Sequence, residues 1–129
     1  MPFKMPRILI VDDNRDLLAA MAETLQLSFP SSQVDTAHSA PEGLERAVAI
    51  RYDVVLCDYR MPGVNGMSLL NELKTLKPSL PVILMTADTD ETVGGRAFEK
   101  GAFGVLLKPL DADELVRVIN QVLERPETG

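Results

Sequence analysis

Four short apolar runs, each closed by a polar residue able to do chemistry, constrain this chain more than any other feature. The clearest is Asp53-Val-Val-Leu-Cys-Asp58, followed by Tyr59-Arg60-Met61-Pro62-Gly63. Four apolar residues rich in Val are too few for a helix and read as a strand buried on both faces. The run stops at a carboxylate, and an acid at the carboxyl end of a buried parallel strand sits where open α/β sheets place their ligands. The other runs end likewise. Arg7-Ile-Leu-Ile-Val11 meets Asp12-Asp13, Pro81-Val-Ile-Leu-Met85 meets Thr86, and Gly104-Val-Leu-Leu107 meets Lys108-Pro109. If these strands are parallel neighbours, one sheet edge presents three carboxylates, a hydroxyl and an ammonium.

Bulk properties narrow the class. A length of 129 residues suits one domain with one substantial core, and 46% apolar with 25% charged residues is ordinary for a globular protein. No apolar run approaches the ~20 residues that cross a bilayer. The stretch Met1 to Arg7 lacks the apolar core of a signal peptide, so a cytoplasmic location is expected. Cys57 stands alone in mid-strand and reads as a buried, inert thiol. A formal charge of −6 argues against a nucleic-acid surface and leaves acids in excess.

Between the strands the spacing is helical. Leu17, Leu18, Met21, Leu25 and Phe29 mark a helix over 13–29 that Pro30 ends. A fifth strand, 34–37, is shorter and more polar, which suits a sheet edge. Ser39 and Glu42 form a capping box for a helix to about Ile50. A helix over 65–76 has Lys74 and Lys77 at its negative end. The spacing predicts a helix over 90–100 stopping at Gly101, weakened by Gly94-Gly95. Asp111 and Glu114 form a second capping box, opening a helix that ends before Pro126. Strand and helix alternate five times, which argues for a parallel sheet covered on both faces.

Each strand-end group has a bland reading. Asp12-Asp13 could cap the first helix, Asp58 a turn and Thr86 the next helix, while Lys108 could be a solvated cation. Their coincidence on one edge changes the balance. Two unit charges ~4 Å apart repel by roughly 4 kcal/mol at an effective dielectric of 20. Clustered carboxylates therefore need a cation or a proton. Lys108 offsets one charge, and a hard divalent ion with oxygen ligands, Mg²⁺ above all, would offset the rest. No Ser–His or Cys–His pair is placed for acyl transfer, His38 lies away from the set, and zinc ligands are missing. A carboxylate nucleophile beside a metal, a lysine and a hydroxyl suits phosphoryl transfer to give an aspartyl phosphate.

With these residues in view, the chain resembles a receiver domain of bacterial two-component response regulators almost end to end. Asp12-Asp13 matches the family's acidic pair, Asp58 its phosphoacceptor, Thr86 its hydroxyl residue, and Lys108-Pro109 its lysine and cis-proline. Met61-Pro62-Gly63 with Gly66 matches the loop after the acceptor, and Gly101-Ala102 the turn before the last strand. The resemblance implies a flavodoxin-like, three-layer α/β fold, with a five-stranded parallel sheet of order 2-1-3-4-5 and five helices. It would occupy residues 5–125, with flexible termini at 1–4 and 126–129. Asp13, Asp58 and the Arg60 backbone carbonyl would ligate Mg²⁺ directly, Asp12 would act through water, and Lys108 would pair with Asp58. The phosphoryl donor would be a phosphohistidine on a sensor histidine kinase or histidine phosphotransfer protein. Such a protein is a self-phosphorylating switch rather than a turnover enzyme. Its face of fourth helix, fifth strand and fifth helix would meet an effector domain, a partner protein or a second copy.

Some positions depart from the family pattern. Val105 stands where the family carries Tyr or Phe, and Phe103 would share its face if the strand extends that far. Signalling is then expected to rest on the loop and helix from Thr86 to Lys100, softened by Gly94-Gly95; alternatively these glycines only permit a tight loop. Arg60 and Asp88 flank the acceptor and could pair across the site mouth to restrict water, or remain solvated. The competing functions are a phosphatase of haloacid dehalogenase type and a receiver-like binding module that has lost phosphorylation. The first generally needs an acid two residues after the nucleophile, where Arg60 stands. The second predicts missing acids or lysine, and none is missing. The polar tail from Glu124 to Gly129 reads as the start of a linker.

Overall fold

The computed structural model describes residues 5–63, 65–87 and 91–125. The expected flexible termini, the predicted first residue of the fourth helix and Asp88 lie outside the described residues. Five strands and five helices alternate along the chain: β1 Arg7–Val11, α1 Arg15–Ser28, β2 Gln33–Ala37, α2 Ala40–Ala49, β3 Val54–Asp58, α3 Gly66–Leu76, β4 Val82–Thr86, α4 Glu91–Glu99, β5 Gly104–Leu107 and α5 Ala112–Glu124. All strand pairs are parallel, and the order is β2-β1-β3-β4-β5. The polar run 33–37 takes an edge, as its composition requires.

Alternation along the strands divides the core in two. Leu9, Val11, Val55, Cys57, Val82 and Leu84 pack with α2, α3 and α4, through residues such as Ala47, Leu70, Leu73 and Ala97. Ile8, Ile10, Val54, Leu56, Ile83 and Met85 face the other way, onto Leu18, Met21 and Leu25 of α1 and Leu115, Ile119 and Val122 of α5. Each fully buried side chain of this kind contributes roughly 1.5–3 kcal/mol. The central strands β3 and β4 are buried along their whole length, which explains why they read as unbroken apolar runs.

The helix ends correct several details of the sequence reading. Asn14 rather than the acidic pair caps α1, its side chain accepting from the Leu17 N–H at 3.1 Å. Ser39 caps α2 through the Glu42 N–H, but the Glu42 carboxylate reaches the His38 N–H at 2.8 Å, one residue beyond a capping box. Asp111 caps α5 by accepting from Asp113, not Glu114, at 2.9 Å. Lys77 leaves its own helix to donate to the carbonyls of Ala47 and Ile50, tying α3 to the end of α2. Gly94 and Gly95 lie within α4, which rules out the tight-loop reading. Phe103 precedes β5, so it does not share the face of Val105 within that strand. Among the described residues no helix is long and apolar enough to cross a membrane.

Candidate functional site

Parallel pairing turns four distant stretches into one edge. Val11 is level with Ala37 and Cys57, Asp58 with Met85, and Thr86 with Leu107. Asp12, Asp58, Thr86 and Lys108 therefore emerge together at the carboxyl ends of β1, β3, β4 and β5. Backbone bonds fasten these ends across the sheet. Asp12 N–H donates to the Ala37 carbonyl at 3.0 Å, Tyr59 N–H to Met85 at 2.7 Å, and Lys108 N–H to Thr86 at 2.8 Å. The Lys108-Pro109 bond is cis, as the resemblance implied.

Three carboxylates offer oxygens within 4.8 Å of one another: Asp12, Asp13 and Asp58. Asp12, Asp58 and Thr86 are buried, whereas Asp13 is exposed. The Lys108 ammonium lies 2.9 Å from Asp12 and 3.0 Å from Asp58, bridging β1 and β3 from the end of β5. The sequence pairs Lys108 with Asp58 alone; the second bond, to Asp12, is hinted at only by the excess of acids over cations and is fixed by side-chain reach. The other Asp12 oxygen accepts from the Asn14 N–H at 3.0 Å.

These contacts set the titration of the cluster. Burial pushes the Asp58 carboxyl above the ordinary carboxylate range; the Lys108 hydrogen bond pulls it back, the Asp12 charge adds to the rise, and the Arg60 N–H opposes it. Burial alone would lower the Lys108 ammonium, but hydrogen bonds and attraction from Asp12 and Asp58 outweigh it and raise the group. Lys108 is thus held charged between two acids. One ammonium faces three carboxylates, so the donor set retains an excess of hard oxygen ligands suited to Mg²⁺.

The flanking residues are less uniform. The Arg60 guanidinium sits 5.5 Å from the Tyr59 ring centroid, a cation–π distance. Val105 is half-buried against the α2–α4 side of the core. Cys57 is wholly buried, with its thiol pushed up to about 12 by burial and the Asp58 charge, so it is inert as expected. His38 lies beside Glu42, outside the cluster. A cavity of about 480 Å³ between Lys74, Ser79, Phe103 and Arg125 lies at the opposite end of the sheet, where both cations donate to loop carbonyls.

Residues 8–120 match the family model described as the response regulator receiver domain. The chain belongs to the response regulator receiver family. A receiver is the phosphorylatable domain of two-component systems, and the match favours neither competing function. The C4-dicarboxylate transport transcriptional regulatory protein DctD of Rhizobium meliloti is 36% identical over 121 residues, covering 93% of this chain and 26% of DctD. The DNA-binding transcriptional regulator NtrC of Klebsiella pneumoniae is 36% identical over 114 residues, covering 88% of this chain and 24% of NtrC. The receiver thus spans about a quarter of the length of these relatives. A response regulator receiver domain from Clostridium thermocellum superposes with a TM-score of 0.87 at 33% identity, covering 94% of this chain and 96% of that one. The acidic cluster of this receiver is of the kind the family uses for Mg²⁺.

Proposed function

We propose that residues 5–125 form a receiver domain whose phosphoacceptor is Asp58. The observation that carries this reading is the pairing of a buried Asp58 with Lys108 beside Asp12 and Asp13. A carboxylate oxygen of Asp58 attacks the phosphorus of a donor phosphohistidine; the new P–O bond forms as the P–N bond breaks, and the imidazole leaves. Lys108 offsets charge on the phosphoryl oxygens and the Thr86 hydroxyl donates to one of them. Asp13, Asp58 and the Arg60 carbonyl would hold Mg²⁺ directly and Asp12 would act through water. When bound, the metal would supply further charge compensation on the phosphoryl group. The chain catalyses its own phosphorylation and dephosphorylation, so it is a switch and not a turnover enzyme. Incubation with acetyl phosphate and Mg²⁺ should give one phosphoryl adduct by intact mass on the wild type and none on Asp58→Asn. Adducts on both would end the assignment.

The donor is a sensor histidine kinase or a histidine phosphotransfer protein in the cytoplasm. Output passes through the face of α4, β5 and α5 to an effector domain, a partner protein or a second copy, without direct nucleic-acid contact. With Val105 in place of an aromatic ring, signalling rests on rearrangement of the segment from Thr86 to Lys100. Arg60 and Asp88 restrict attacking water at the site mouth. Dephosphorylation of both Arg60→Ala and Asp88→Ala should then run several-fold faster than wild type by phosphoryl-adduct decay; unchanged rates in either would remove this part of the reading.

A further inference from the structure

We infer that Gly66, on the first turn of α3, is a positioning residue for Asp58. This rests on Asp58 being the acceptor. A Cβ built on Gly66 would overlap the Asp58 carbonyl oxygen, and would lie 2.8 Å from the Asp58 carbonyl carbon and 2.9 Å from the Tyr59 Cα. All three are backbone atoms and cannot swing aside as a flexible side chain can. The approach is pinned from both sides of the residue. Gly66 N–H donates to the Tyr59 carbonyl at 2.6 Å, and the Cys57 thiol donates to the Gly66 carbonyl at 3.8 Å. Gly66 therefore touches all three residues around the acceptor.

A side chain here forces one partner to yield. The helix resists: Asn65 caps it through the Ser68 N–H at 3.0 Å, and Met67, Leu69, Leu70 and Leu73 are buried beneath it. The strand end is held too, by the Tyr59 N–H on the Met85 carbonyl at 2.7 Å, so a shift on either side is felt in the segment from Asp58 to Arg60 between them. That segment carries both the carboxylate 3.0 Å from Lys108 and the Arg60 N–H that bonds it. Two other glycines separate this effect from glycine chemistry in general. Gly63 has φ +81° with nothing near its missing Cβ, so conformation alone requires it. Gly94 has neither constraint.

The test compares Gly66→Ala, Gly94→Ala, Asp58→Asn and wild type as full chains with acetyl phosphate and Mg²⁺. A misplacement near 1 Å slows such chemistry about 100-fold, and Gly66→Ala should slow saturated phosphorylation on that order while native circular dichroism persists. Its Mg²⁺ affinity, read by tyrosine fluorescence, should fall with it, which a loss of stability alone would not cause. Gly94→Ala should phosphorylate as wild type. A folded Gly66→Ala within about threefold of wild type overturns the inference. Should that variant not fold, the Gly66 amide signal of the wild type decides. On adding Mg²⁺ and beryllofluoride it should move at least as far as that of Gly63, and an unmoved signal overturns the inference. Failure of the acceptor assignment shows separately, as a wild type that does not label or an Asp58→Asn that does.

Discussion

At the scale of single residues, the site is a negotiation between burial and charge. Asp58 is taken out of water beside Asp12, and the Lys108 bond returns only part of the loss, so its carboxyl sits above the ordinary range. The sign of the consequence is fixed by linkage. Between the unfolded and the raised folded value, the native state binds more protons than the unfolded one, so this group's contribution to stability falls as pH climbs through that window. Ionised Asp58 therefore opposes folding at neutral pH. Without metal, Asp58→Asn should unfold at higher temperature than wild type at pH 7.5. The gap should narrow as pH falls below the folded-state value, where the wild-type acid is neutral too. Thermal melts in chelator across pH check this. A variant no more stable than wild type at pH 7.5, or a gain that grows on acidification, would show that the Lys108 bond dominates instead.

At the scale of elements, α4 is the outlier. It buries Val93 and Ala97 but spends two interior positions on glycine, at sites where an added Cβ meets nothing within 4 Å. Neither packing nor backbone conformation demands them. Gly94→Ala and Gly95→Ala should each stabilise the fold by about 0.8–1 kcal/mol, measured by denaturant midpoint. If this softness serves signalling, amide exchange across α4 should change on beryllofluoride binding, and the alanine variants should blunt that change. Equal exchange in both states would leave the glycines without a signalling role. The elements also divide what the sequence makes legible from what it does not. Strands β3 and β4 were legible because they are buried on both faces, and an uninterrupted apolar run has few other solutions. Cap choice was not, because Asn14 and Asp13 offer similar oxygens and only the local backbone decides which one meets the Leu17 N–H. The convergence of Asp12, Asp58, Thr86 and Lys108 followed from strand-end positions plus parallel order. The Asp12–Lys108 bond spans 96 residues and depends on side-chain reach, which spacing does not encode. The close approach of Gly66 depends in the same way on how near α3 starts to β3.

At the scale of the whole molecule, the sheet separates two half-cores, and the acidic site joins strands that both halves hold in place. Leu70 lies on the α2–α4 side and Ile119 on the α1–α5 side, each fully buried. Truncation of either to Ala should cost about 2–5 kcal/mol. With no shared partners, the two losses should add within about 0.5 kcal/mol in the double variant, given two-state unfolding. A larger discrepancy would mean that the sheet transmits strain from one face to the other. The acidic cluster tests the molecule as a whole more sharply. Asp12 and Asp13 follow β1 as neighbours and Asp58 ends β3, so the unfolded chain holds Asp58 away from the pair and only the native state completes the set. A cation bound there stabilises by mass action, about 1.4 kcal/mol at ten times its dissociation constant. A chain of formal charge −6 also gains from any salt, which relieves repulsion without a site. Asp13 separates the two effects, because it is exposed and its removal disturbs the core little. At matched ionic strength, Mg²⁺ should raise the melting temperature of wild type by several degrees and of Asp13→Asn by far less. Equal shifts in both would reduce the acidic cluster to a source of general repulsion and remove Mg²⁺ from the mechanism.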